Sequence, residues 1–163
     1  ACDSAQGLGL SQLREDPLYP RIPAPRRKRL VAAALEDGRA LAACVCRQCG
    51  SDPAAIAVQC DVPLTYSTDD AGFGSVVIYA HYDTRPPRIT LYLPAIRLLN
   101  RLIARVGPAA FGGVRDTLPI FFAHELYHHF DCLRGDARLG RRHAVPLFGV
   151  GRWQWTSRLS SLP

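Results

Sequence analysis

The chain has 163 residues, 48% of them hydrophobic and 21% charged, with a net charge of +6. That length fits one domain with a sizeable core, and the composition is that of a soluble globular protein. No apolar run approaches the roughly 20 residues that span a bilayer, and the one basic run, Arg26 to Arg29, has no aromatic beside it as a nucleic-acid surface would want.

Residues 1–25 carry Gly7, Gly9, Pro17, Pro20, Pro23 and Pro25 with little periodicity, which predicts an extended or disordered N-terminal arm. From Arg26 to about Cys49 the alanine-rich run reads as a helix, with Gly50 placed to end it. Ser51-Asp52-Pro53 is an N-cap followed by a first-turn proline and opens a short helix through Ile56 and Val58. Val62 to Thr68 favours a strand, and Asp69 to Gly72 is turn chemistry. Ser75 to Tyr82 reads as a strong strand and Arg88 to Leu93 as a second. Pro94 then starts a helix whose apolar positions run through Ile96, Leu99 and Ile103 to Val106, stopped by Gly107-Pro108. Asp116 is the capping acid of a largely apolar helix through Phe130. Beyond Gly135 the chain turns irregular, and Ala144 to Trp155 reads as a hairpin or extended loop.

The basic residues number 20, and 19 of them are arginine, a bias that fits coding background better than function. The six cysteines are Cys2, Cys44, Cys46, Cys49, Cys60 and Cys132. Cys46 and Cys49 have metal-ligand spacing, with Cys44 and Cys60 as further candidates. A second CxxC half is missing, so small buried thiols are the expectation, in a chain whose setting reads as cytoplasmic. Ala1 and the absence of methionine are those of a chain without its initiator, which leaves a removed leader open.

The most informative stretch is His124-Glu125-Leu126-Tyr127-His128. On a helix, residues four apart share a face, so His124 and His128 can aim imidazole nitrogens at one metal ion. Glu125 sits one step round, where a carboxylate serves as general base toward a metal-activated water. No other charge lies between Thr117 and Phe130. A histidine pair and a glutamate in so apolar a helix are costly to bury without a role. Zinc is the expected cofactor.

A catalytic zinc takes three protein ligands and keeps an open position. Five in-chain candidates exist for the third. His129 points about 100° away from His128; Asp131, one turn on, suits a supporting hydrogen bond to that imidazole. Asp136 and His143 lie in a stretch able to fold back, and His81 on a strand reads as structural or substrate-side. The metzincin pattern is absent, since its glycine position holds Asp131 and its third histidine position Arg134.

The HELYHH helix, preceded by two strands and an amphipathic helix, resembles the ImmA/IrrE-type zinc metallopeptidases over roughly Val62 to Phe130, with His124, Glu125 and His128 matching the motif. The resemblance implies an α+β, zincin-like fold, with a small mixed sheet packed on the HExxH helix. It also implies a third ligand, a glutamate on the following helix. No glutamate follows Glu125 here, so the expectation is a zincin-like domain over residues 26–163, truncated at its C-terminal end.

The expected function is zinc-dependent hydrolysis of peptide bonds, with Glu125 as general base and His124 and His128 as metal ligands. The resemblance suggests a protein or peptide substrate such as a repressor-like regulator. The rival expectation is a non-catalytic metal- or partner-binding domain of the same descent, with a nucleic-acid-associated protein well behind.

Overall fold

The structure is a computed structural model that describes residues 3–73, 76–135, 145–150 and 153–157, with side chains from residue 5 to residue 135 apart from 73. It is mixed α and β, and the chain forms two compact units. One is built from Ala1–Cys44 together with Asp131–Pro163; the other is the continuous stretch Val45–Phe130. No helix among the described residues is long and apolar enough to cross a membrane.

In the first unit the expected extended arm is instead helix α1, Asp3–Glu15, followed by a 3-10 turn at Tyr19–Arg21. Burial is the reason. Leu13 and Ile22 are each only 1% exposed and pack with Leu30 and Val31 of helix α2, Ala24–Cys49. Gly9, a poor helix former by propensity, is required by proximity: a Cβ there would lie 2.7 Å from Cγ1 of Val31. Between the helices, Asp16 accepts from the Leu18 N–H at 2.8 Å, and the Arg27 guanidinium lies 4.0 Å over the Tyr19 ring while donating to the Ile22 carbonyl. Arg134 clasps Asp37 of α2 with both terminal nitrogens, one at 2.9 Å. Strands β6, Val145–Val150, and β7, Trp153–Ser157, form an antiparallel hairpin, as the sequence predicts.

In the second unit α2 ends at Gly50, which takes a positive φ of 83° and donates to the Cys46 carbonyl. Asp52 caps α3, Pro53–Gln59, by accepting from the Ala54 N–H at 3.0 Å. A three-stranded mixed sheet follows. Its central strand is β5, Pro87–Tyr92, parallel to β1, Leu64–Ser67, and antiparallel to β4, Ala80–Thr84. Alternate residues of a strand share a face, so Ile89 and Leu91 of β5 enter the core together, each 0% exposed.

The single strand expected over Ser75–Tyr82 is divided. Val76–Val77 (β3) pairs with Gly72–Phe73 (β2), whereas β4 pairs with β5. The backbone changes partners in between: Ile78 donates to the Ala71 carbonyl, and the Tyr79 carbonyl accepts from Tyr92. Helix α4, Leu93–Val106, buries Ala95, Ile96 and Ile103 and stops at Gly107. The last helix of this unit, α5, Leu118–Leu133, carries the histidine motif and buries Phe122 and Leu126.

Candidate metal centre

The motif helix is held at its start by a side-chain network. Asp116 accepts from the Leu118 N–H at 3.0 Å, the capping role its position predicts. Asn100 of α4 donates to that same carboxylate and accepts from both the backbone and the hydroxyl of buried Thr117, at 3.0 and 2.8 Å. The first turn of α5 is thereby tied to α4, which fixes the direction in which the motif residues point.

Two aromatic contacts tie the helix to the sheet. Tyr79 stacks on Phe121 with centroids 4.6 Å apart and planes 8° from parallel. Tyr82 of β4 reaches His129, its hydroxyl 3.0 Å from Nδ1 and the rings edge-on. His129 is 5% exposed, and burial pushes its pKa down, so it stays neutral. It is a helix-to-sheet contact rather than a companion of His128, as the 100° step predicts.

His124 and His128 converge. Their Nε2 atoms stand 3.1 Å apart with the rings nearly perpendicular, at 87°. Two nitrogens each about 2.05 Å from one zinc at a tetrahedral angle would be about 3.3 Å apart, so the pair fits a shared metal with little adjustment. With both rings neutral, one nitrogen donates its proton to the other. Burial lowers the pKa of His124, keeping an imidazole lone pair available near neutral pH.

Glu125 is 7% exposed and shares the buried side of the helix with Phe122, Leu126 and His129. Burial pushes its carboxyl up to about 7, and electrostatic attraction to His81 draws it part of the way back. A carboxyl poised there takes and returns protons near neutral pH. His81 stands exposed on β4, its Nε2 3.1 Å from Oδ1 of Asp83.

The third ligand is not assembled: among the described residues no group of three His, Cys, Asp or Glu side chains is arranged to hold a metal. Asp131 also pairs with Arg134 at 3.8 Å, because the short turn after α5 returns that guanidinium to it. Asp136 and His143 lie outside the described residues, as does the side-chain placement of Trp153 and Trp155. Among the cysteines, Cys44 and Cys46 are exposed rather than buried; Cys49 and Cys60 are half-buried free thiols. Burial, then the neighbouring Cys49, raises the pKa of Cys60.

Sequence reasoning passed over Asn100, Tyr79 and Tyr82. Asn100 has no sequence signal, since its role depends on how the α4–α5 connection folds. Tyr82 has a weak one: it alternates with exposed His81 and so belongs to the inward face of its strand. Compared with family models, curated proteins and solved structures, the chain matches none.

Proposed function

We propose that this chain is a zinc-dependent metallopeptidase, in keeping with the resemblance of its motif helix to the ImmA/IrrE-type enzymes. The observation that carries the reading is the 3.1 Å approach of the His124 and His128 Nε2 atoms beside a buried glutamate whose carboxyl is raised to about 7. His124 and His128 would hold the zinc, which would supply Lewis acidity toward the scissile carbonyl and the attacking water. Glu125 accepts the proton of the attacking water as its oxygen bonds to the carbonyl carbon, then delivers that proton to the amine nitrogen as the C–N bond breaks. The substrate is an extended protein or peptide segment that adds to the open edge of β4, main chain against main chain. A repressor-like regulator is the substrate class that the resemblance suggests. The described residues bring no third protein ligand to this pair.

Elemental analysis of the purified chain and of the double variant His124→Ala/His128→Ala tests the metal assignment. About one zinc per chain is expected, lost in the variant. Glu125→Gln is expected to keep its zinc and to slow hydrolysis of a quenched fluorescent peptide library by about 10²- to 10⁴-fold. Zinc retained by the double variant, or hydrolysis unaffected by Glu125→Gln, would sink the reading.

The lack of a third ligand among the described residues favours a second reading, a metal- or partner-binding domain of zincin descent without catalysis. Stoichiometric zinc in a wild-type chain that cleaves nothing in the peptide library would select it.

A further inference from the structure

Helix α4 turns two parallel rows of side chains to solvent. At about 100° per residue, positions four apart lie nearly above one another. Arg97, Arg101 and Arg105 make one row; Leu98, Leu102 and Val106 make the row beside it. All six are exposed, the apolar three at 47%, 46% and 66%. The core is served by the opposite face, through Ile96 and Ile103.

Exposed leucines scattered singly are ordinary. Three in line form a continuous apolar stripe about 12 Å long. The charge beside the stripe is as one-sided as its position is regular. Helix α4 contains no acidic residue, and none of its three arginines has an ion-pair partner among the described residues.

We propose that this face of α4 docks an acidic amphipathic helix of a protein partner. That helix lays its apolar side on Leu98, Leu102 and Val106 and sets carboxylates against Arg97, Arg101 and Arg105. Charge complementarity identifies the occupant. A second copy presents the same three arginines and is repelled. The chain after Asp131 holds a single acid, Asp136, among five further arginines beyond Arg134, so it does not supply a carboxylate row. An anionic membrane fits less well than a helix. Opposite Ile96 and Ile103, the residues pointing most directly outward are Arg105, Arg101 and Leu98, and the apolar row turns away from them through Leu102 to Val106. A flat surface would meet Arg101, Arg105 and Leu98 and leave Leu102 and Val106 shallow, whereas a rod-shaped partner settles along the flank and touches both rows. The arginines then select and steer the partner, and the apolar row holds it.

The test is selection from a displayed library of random 16-residue peptides against the intact protein, followed by affinity measurement by fluorescence anisotropy. Enriched peptides are expected to place Leu, Ile or Phe at helical spacing beside Glu or Asp. The double reversal Arg101→Glu/Arg105→Glu, at exposed positions that leave the core untouched, is expected to weaken them by about tenfold or more. Leu102→Ser is expected to weaken them likewise, and replacing the peptide glutamates by lysines is expected to restore binding to the reversed protein. Enrichment of peptides without acids, or binding indifferent to both variants, would overturn the proposal. So would retention on vesicles of anionic phospholipid with no peptide binding, or concentration-dependent self-association through the same residues.

Discussion

Glu125 occupies a position that a charged carboxylate resists, and the consequence is a pH dependence of known sign. Its folded-state pKa lies near 7 and its ordinary value is 4.5, so the folded protein holds the proton more tightly than the unfolded chain does. Stability is therefore unaffected below pH 4.5, falls as pH rises from there, and reaches its full loss above about pH 7. That displacement corresponds to roughly 3 kcal/mol. The lowered pKa values of His124 and His129 act in the opposite sense, withdrawing stability as pH falls through 6.5. Comparison of chelator-treated wild type with Glu125→Gln isolates the glutamate. In urea unfolding at pH 4.5, 6 and 8, the variant is expected to gain on wild type as pH rises, and a constant difference would refute the assignment. Spacing made the histidine pair legible, because four residues on a helix dictate a shared face whatever surrounds it. The burial of Glu125 was not legible, since it depends on which apolar groups close around the carboxyl.

Among the elements, those with strong end signals were read well. Gly50, Asp52-Pro53, Gly107 and Asp116 each perform at a helix terminus the role their chemistry predicts. Helix α1 was missed because Gly7 and Gly9 weaken helix propensity, while the two buried anchors, Leu13 and Ile22, gain from tertiary contact alone. The two glycines make a paired test. A methyl group at position 9 collides with Val31, which is buried and β-branched and has little room to yield, so Gly9→Ala is expected to destabilise by about 1–3 kcal/mol. Nothing lies within 4 Å of a Cβ at position 7, and there the same change is expected to stabilise by about 0.5–1 kcal/mol. Thermal unfolding of the two variants decides the matter, and equal effects would contradict the close approach of α1 to α2. The division of the Ser75–Tyr82 run was hidden for a different reason. Hydropathy reports that a segment is apolar and extended, but which neighbour takes its hydrogen bonds is settled by chain segments distant in sequence.

At the scale of the whole molecule, the two units differ in how the chain builds them. The histidine pair and Glu125 lie within the continuous stretch Val45–Phe130, whereas the other unit is assembled from both ends of the sequence. Asp37 and Arg134, 97 residues apart, join those ends through a largely buried ion pair. Removing the guanidinium takes this ion pair from Asp37, so Arg134→Met is expected to lose about 1–3 kcal/mol. The double variant Asp37→Leu/Arg134→Met is expected to recover much of that loss, measured by urea unfolding. A double variant no more stable than the single one would show that the pair contributes little. The edge of β4 carries its own demand on the molecule. An edge that accepts a guest strand also invites the same edge of another molecule, and aggregation in concentrated solution is the usual result. Here the strand is five residues long and bears the His81–Asp83 pair, a short polar edge that discourages copies from stacking.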